Sequence, residues 1–455
     1  MSSPVALSII IPIHNTWDLV KHLIKRIEIF SSNRKVNLEL ILIDDNSNYI
    51  PENLISKDKT PSLNVIHIFL KANLGVGGAR DAGLRASTGD YVWFVDSDDE
   101  LTSHWYGVAE QTLKKSNSTK PDFFVSDAYL LTISSCLIKK KCFNKSISKK
   151  NISVEDLLLN STASFSEFRA TVWQFWFRRV FLLENNIKFG NLRLFEDVAF
   201  LCEVLSAAEV CQYTGEVIYV HKRRNTSLTH ASSWTAYNCQ RYCKDNILST
   251  ERIILAIPLD NSSSQNLTKL LICKLCSNLF SLASMLGVND VDANITNLWR
   301  NFIESIKNRI HELHSLHAPL KNILQTSDVE KWLDLFFVFN FINNVKLKPN
   351  LPYVIHCYST FSIAYALYLL DISDSLLGFV DTFNYDFLDS KTNLRVCSSI
   401  SNFDIKPDKI FIINRRKNIC NQIKKYYIDI GFEANSIISL SSNLELDNKM
   451  GKFNQ

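Results

Sequence analysis

Apolar residues fall into short blocks over the first hundred positions, and polar stretches of helical period separate them. Residues 7–13, LSIIIPI, form a near-continuous apolar run that is too short for a helix and rich in β-branched side chains. That predicts a strand buried on both faces. Over residues 17–30 the apolar positions Trp17, Val20, Leu23, Ile24 and Ile27 recur at helical spacing. Residues 38–43, LELILI, predict a second strand, and 65–70, interrupted by His67, a third. Residues 74–86 are Gly-rich at their start and helical afterwards, and 91–95, YVWFV, predict a fourth strand. This alternation predicts an α/β domain with a mostly parallel sheet.

Further along, the patterning changes twice. Residues 139–150, KKKCFNKSISKK, read as a solvated basic loop, with contact to an anionic membrane surface or acceptor as the other use of such a charge run. An aromatic block, VWQFWFRRV, occupies 172–180; a helical stretch and then FEDVAF at 195–200 follow. Residues 234–344 read as predominantly helical, with WLDLFFVFNFI at 332–342 as a core helix rather than an interfacial one. After Pro349 and Pro352 short strands return at 353–357, 376–380, 409–413 and 436–440, with helices at 361–370 and 419–427. The predicted organisation is therefore three regions, 1–232, 233–348 and 349–455, the last a small α/β unit whose strand–helix–strand with LLGFVD resembles a Rossmann-like half.

Composition narrows the classes. A chain of 455 residues is too long for one ordinary domain, and 46% hydrophobic with 21% charged residues excludes wholesale disorder. The net charge of +4 is compatible with a polyanionic substrate or an anionic membrane surface and dictates neither. The eleven cysteines are scattered, mostly within apolar segments, which predicts reduced, buried thiols in a cytoplasmic protein. Cys273 and Cys276 form a lone CxxC without a second pair at metal spacing, so packing is the expected use. The opening residues lack a basic region, and Pro12 breaks their apolar run, so no signal peptide is expected. No stretch reaches 18 uncharged apolar residues, so no membrane span is expected either.

Ligands bind at the carboxyl ends of strands in open α/β sheets. Unusual residues gather at those predicted ends: Pro12 and Asn15; Asp44 and Asp45 in LIDDNS; Asp96, Asp98 and Asp99 in VDSDD. Carboxylates this dense repel one another unless a cation or basic partner is present, and oxygen ligands of this kind suit Mg²⁺ or Mn²⁺. A solvated acidic turn would look the same in isolation. Upstream, Gly75, Gly77 and Gly78 open a helix whose N-terminus would attract an anion, and Arg80 in its first turn could reach a phosphate. Asp44 and Asp45 could accept hydrogen bonds from a base or ribose, or simply open a turn.

The stretches SIIIPIHN, LILIDDNS, NLGVGGARDAGLRASTGDYVWFVDSDD and LFEDVAF, in this order and spacing, resemble the family 2 glycosyltransferases, an inverting group with the GT-A fold. The resemblance covers about residues 8–229. It implies a nucleotide pocket lined by Pro12 and Asn15, with Asp44 or Asp45 on the nucleobase and ribose. Gly75, Arg80, Asp96 and Asp99 would lie near the diphosphate or the donor sugar. Asp96 and Asp98 would form the DxD motif, with Asp98 as direct metal ligand. In the Glu196–Asp197 pair, Asp197 would be the general base. In YVHKRRNTSLTH, at 219–230, which resembles the segment closing the family's active site, His221, Arg223 and Arg224 would contact diphosphate or metal, with His221 the candidate metal ligand. Trp173 and Trp176 could form a platform for an acceptor sugar or belong to the core.

Two positions depart from the family pattern: His14 where Tyr is common, and Asp81 where Asn is common. Asp81 would add negative charge beside a diphosphate site. The implied reaction moves a sugar from a nucleoside diphosphate, expected to be UDP, to a surface-glycan or lipid-linked glycan acceptor, with Mn²⁺ or Mg²⁺. Peripheral membrane contact at the inner face and self-association are compatible with it; nucleic acid is not an expected partner. A sugar nucleotidyltransferase would need a Gly-rich, basic loop after the first strand, where this chain has PIHNTWD. A non-catalytic glycan-binding or assembly module would keep the fold without turnover. The C-terminal region has no GxGxxG, its turn reading HCYSTFS at 356–362, and is expected to serve assembly or acceptor placement.

Overall fold

The structure is a computed structural model. It describes residues 5–31, 36–51, 63–115, 120–131, 137–140, 143–162, 168, 171–222, 236–259, 264–288, 293–316, 320–321 and 324–327, and then 353–356, 376–380, 387–388, 395–397, 399, 401, 403, 407, 409–412 and 417–439. The chain forms two compact units. One comprises Met1–Met285 with His311–Ser315, the other Leu286–Ile310 with Leu316–Gln455.

The first unit begins as the patterning predicts: β1 (Leu7–Ile13), α1 (Trp17–Ser31), β2 (Leu38–Asp44), β3 (Leu63–Phe69), α2 (Gly75–Ala86) and β4 (Tyr91–Phe94). It continues through β5 (Glu100–Leu101), α3 (Trp105–Lys115), β6 (Phe123–Leu131), β7 (Leu137–Lys140), β8 (Asn151–Ile152) and α4 (Val154–Leu159). Then come β9 (Phe175–Arg178), α5 (Arg179–Glu184), α6 (Glu196–Ala207), β10 (Cys211–Lys222), α7 (Ala236–Ala256) and α8 (Gln265–Val288).

One mixed sheet runs β3-β2-β1-β4-β9-β6-β10-β5, with β7 beside β6 and β8 beside β10. β3, β2, β1 and β4 are mutually parallel, as are β6 and β10; β9 inserts antiparallel between β4 and β6. β1 and β2 are buried along their whole length, which is why both read as unbroken apolar runs. Trp93, Trp105 and Trp176, all fully buried, pack edge to face or tilted around β4 and β9, and this packing absorbs the aromatic block.

The sheet carries a break that opens the site. β1 pairs with β2 on one side and β4 on the other, so strand order reverses there. The β1–β4 pairing stops at Ile10–Phe94, after which the Val95 N–H donates to the Ile10 carbonyl at 2.9 Å. Pro12 has no N–H to extend that ladder, and the two strands part.

The basic stretch at 139–150 is not one solvated loop. Lys139 and Lys140 pair with β6 as part of β7, Phe143 is buried, and Lys145–Ile147 form a 3₁₀ turn. Strand pairing and one buried ring outweigh the charge there. The patterned apolar run at 332–342 lies outside the described residues.

The second unit contains α9 (Ala293–Glu312) as far as Ile310 and, further along, β11 (Tyr353–His356), β12 (Leu376–Val380), β13 (Phe387–Leu388), β14 (Arg395–Cys397), β15 (Lys409–Ile412), α10 (Lys417–Asp429) and β16 (Ile437–Ser439). Its sheet runs β13-β14-β12-β11-β15-β16, parallel except for β13. Ile410, Ile412, Tyr427 and Ile437 form a small core there. Apart from His356, the turn at 356–362 and the helix expected at 361–370 lie outside the described residues.

Candidate active site

The ends of β1 and β2 are sewn together by side chains. Asn15 and Asn46 both adopt left-handed backbone, φ +56° and +59°, which Asn tolerates better than other L residues. The Asn15 N–H donates to Ser47 Oγ at 2.9 Å, and Asn15 Oδ1 accepts from the Asn48 N–H at 2.8 Å. His14 Nδ1 lies 2.9 Å from the Asp45 carbonyl. Asp44, at the end of β2, is buried and accepts from Trp17 Nε1 at 2.6 Å and the Ser47 N–H at 2.8 Å.

Asp45 has a task that the sequence did not announce. Its carboxylate accepts from the N–H groups of Leu74 and Gly75, at 2.7 and 2.9 Å, and so occupies the N-terminus of α2. A diphosphate seated on that helix end would meet a carboxylate already holding two of its amides. The glycines likewise face protein. A Cβ on Gly75, whose φ is +82°, would lie 2.7 Å from Arg193 Cγ; one on Gly77 would lie 2.9 Å from the carbonyl oxygens of Gly190 and Leu192. They let α2 lie against the turn at 188–195.

Arg80 is the centre of the site. It is buried, with Nη1 donating to Glu196 Oε1 at 2.9 Å and Nη2 to Asp96 Oδ1 at 2.8 Å. Its guanidinium also lies over the Phe189 ring, 5.1 Å from the centroid. Burial works against its charge, but Asp96 and Glu196 outweigh that, so its proton is held more tightly than usual. One cation thereby ties the end of β4 to the start of α6.

The two acids at the start of α6 hold their protons unusually well. Burial raises Glu196, the charge of Asp197 raises it further, and Arg80 pulls it part of the way back. Burial pushes Asp197 up to about 6, against the opposing pull of Arg80. Asp197 is half-buried, with Oδ1 accepting from the Val198 N–H at 2.8 Å. The residue before the pair, Phe195, is left-handed at φ +61°, a conformation that costs a non-glycine residue on the order of 1–2 kcal/mol.

Asp99 anchors the far wall. Its buried carboxylate accepts from the Tyr219 hydroxyl at 2.7 Å and the Lys222 N–H at 2.8 Å, with His221 Nδ1 3.1 Å away. Tyr219 also accepts from the Asp96 N–H at 3.1 Å. Burial opposes charge on His221, but the hydrogen bond and charge of Asp99 outweigh it and raise its pKa. Trp173 stacks on both rings, 4.4 Å from Tyr219 and 5.4 Å from His221. Trp173 is therefore a buried backing plate rather than an exposed sugar platform, and Trp176 is core.

The expected metal trio is not gathered: among the described residues no three His, Cys, Asp or Glu groups are placed to hold an ion by themselves. Asp96 has one oxygen on Arg80, Asp98 sits half-buried in the turn after β4, and His221 turns Nδ1 toward Asp99. Two neighbouring carboxylates fit an ion of the Mg²⁺ type, which keeps waters and leans on substrate phosphates rather than on a protein cage. Arg223 and Arg224 lie outside the described residues.

Asp81 corrects one expectation. Its carboxylate accepts from the N–H groups of Phe189 and Gly190, both at 2.8 Å, so its charge is taken up by the 188–195 turn and not aimed at a diphosphate. Also unannounced are Arg241, Asp245, Ser249 and Arg252 of α7, which reach the same turn. Their only trace in the sequence is a polar stripe of helical period.

Comparisons with known proteins bear on the family and the fold. Residues 8–124 match the family described as Glycosyl transferase family 2. The chain is 28% identical over 201 residues to a cholesterol galactosyltransferase of Borreliella burgdorferi, covering 43% of this chain and 54% of that protein. It therefore spans about half that relative's length. It is 30% identical over 247 residues to a GalNAc(5)-diNAcBac-PP-undecaprenol beta-1,3-glucosyltransferase of Campylobacter jejuni, covering 51% of this chain and 69% of that one. In fold it is similar to S. aureus TarS 1–349, with a TM-score of 0.53 at 17% identity over 76% of this chain and 94% of that one. The fold, the strand-end carboxylates and these relatives converge: the chain belongs to the family 2 glycosyltransferases and has a GT-A fold.

Proposed function

We propose that the chain moves a sugar from a nucleoside diphosphate to a hydroxyl of a glycan acceptor in one inverting displacement. The observation that carries this reading is the Arg80 bridge, which fixes the Glu196–Asp197 pair to the carboxylates at the end of β4. Base and donor site then share one rigid element. Asp197, with its raised proton affinity, takes the proton of the acceptor hydroxyl as the new bond forms, a contribution of roughly 10²–10⁴-fold. Glu196 stays on Arg80 and holds the start of α6. Asp44, Asp45 and Asn15 shape the nucleotide wall, with Pro12 opening the crevice beside it. Asp96 and Asp98 are the residues that would hold a divalent cation. When bound, it would neutralise charge on the departing diphosphate.

The donor base is proposed as uracil, because the TarS fold neighbour has been crystallised with UDP and with UDP-GlcNAc. A lipid-borne acceptor is proposed from the names of two relatives, a cholesterol galactosyltransferase and a GalNAc(5)-diNAcBac-PP-undecaprenol beta-1,3-glucosyltransferase. No helix among the described residues is long and apolar enough to cross a membrane.

The test is nucleotide release from a panel of nucleoside-diphosphate sugars with Mn²⁺ or Mg²⁺, with and without EDTA. One donor should be turned over, EDTA should stop it, and Asp197→Asn should reduce it at least 10²-fold while retaining UDP binding. Wild-type protein that binds UDP and metal but turns over no donor, with acceptor extracts supplied, would favour the glycan-binding module instead.

A further inference from the structure

The turn at 188–195 is held by one face of α7. Arg241, Asp245, Ser249 and Arg252 follow one another at helical spacing along that face, and each reaches the backbone of the turn. Arg241 Nη2 donates to the Asn191 carbonyl at 3.1 Å. Asp245 Oδ2 accepts from the N–H groups of Arg193 and Leu194, at 3.0 and 3.3 Å, and from Arg241 Nε at 3.1 Å. Ser249 Oγ donates to the Phe195 carbonyl at 3.1 Å, and Arg252 donates to the carbonyls of Phe189 and Lys188 at 2.7 and 2.5 Å. Asp81 and Gly77 of α2 hold the opposite side of the turn.

We infer that Asp245 is a positioning residue for the reaction: it fixes the backbone before Phe195 and so sets where the Asp197 carboxylate stands. Three observations carry this. Asp245 is 1% exposed, and its bonds to the turn go to the two residues directly before the left-handed Phe195. A left-handed Phe persists only where its surroundings over-determine it. The residue after Phe195 begins α6, so any relaxation at 193–195 rotates the first turn of that helix, which carries both acids. Both bonds to the turn end on one oxygen, so Asn at this position can keep them, while Ala cannot.

This inference rests on the sugar-transfer reading, and the experiment separates the two. Asp245→Ala and Asp245→Asn are compared with Asp122→Ala. Asp122 also accepts two backbone N–H groups, those of Glu209 and Val210, but at the opposite end of the sheet. Steady-state kinetics are read beside hydrogen exchange of the amides at 193–198. Asp245→Ala should lower kcat about 10- to 100-fold with donor KM within about twofold. Its exchange at 193–198 should be faster, and Asp245→Asn should restore most of both. Asp122→Ala should lose stability and keep kcat per folded molecule. If Asp245→Ala keeps kcat, or loses it without faster exchange at 193–198, the positioning role is overturned. If the wild type turns over no donor, the sugar-transfer reading falls, and the positioning role falls with it, whatever the exchange data show.

Discussion

At the residue scale the decisive quantity is the proton on Asp197. Burial pushes its carboxyl up to about 6, against about 3.9 for an unperturbed Asp. A base must be deprotonated, so kcat/KM should rise with pH through a limb near 6 and level off above it. A limb at about 4 would show instead that the Asp197 carboxyl titrates as an ordinary Asp. The same shift has a stability sign. With the folded pKa raised, the group's favourable contribution is complete below its unfolded value of about 4 and is lost as pH rises through the folded one. Asp197→Asn, always neutral, should therefore stabilise the protein above about pH 7, by roughly 1 kcal/mol once its half-buried position is allowed for. Thermal melts should show that gain fading toward about pH 4. Removing a different acid has the opposite effect on stability: Asp81→Ala strands two N–H groups of the turn and should cost about 2 kcal/mol or more, measured by denaturant unfolding. The sequence showed these acids, but not which were spoken for. Asp44, Asp45, Asp81 and Asp99 bond to groups up to 123 residues away, most of them backbone amides that leave no mark in a sequence.

At the element scale, close approach to α2 is what glycine supplies. Gly83→Ala would put a methyl group 2.3 Å from Ile10 Cγ2 of β1, and Gly77→Ala would place one against two carbonyl oxygens of the turn. Both should destabilise by about 1–3 kcal/mol despite better helix propensity. Gly77→Ala should also lower kcat, because it displaces the backbone that leads into α6. On α3, by contrast, a methyl group added at Gly107 would meet nothing within 4 Å, and Gly107→Ala should stabilise by roughly 0.5–1 kcal/mol. Equal melting-temperature shifts for Gly77→Ala and Gly107→Ala would contradict this packing difference. The first four strands and their helices were legible because each is a local apolar pattern. β7 and β9 were not, because pairing with β6 rather than local pattern makes them strands.

At the scale of the whole molecule, the sheet of the first unit has a chemical end and a structural end. The carboxylates proposed for donor binding stand at or just past the carboxyl ends of β2 and β4. At the other end Glu39 is fully buried, with Oε1 2.5 Å from Ser8 Oγ and Oε2 accepting from Thr88 Oγ1 at 2.9 Å. Glu39→Ala should lower the melting temperature by several degrees and leave UDP affinity unchanged, as calorimetry would show. A loss of affinity equal to that of an Asp44 variant would erase the distinction between the ends. Strand-end acids and Gly-rich openings made the chemical end readable from sequence. Glu39 was not readable, since nothing local marks a charge that will lie inside an apolar strand.

The double grip on the turn at 188–195 also limits how this enzyme can be recombined. A chimera that imports only the FEDVAF segment from a relative would set a foreign turn between native α2 and native α7, each shaped for another backbone. Crossover points placed within 82–187 and after Arg252 would carry turn, α6 and α7 together, leaving Asp81 and Gly77 as the positions to match by hand. Turn, α6 and α7 are then exchanged as one block.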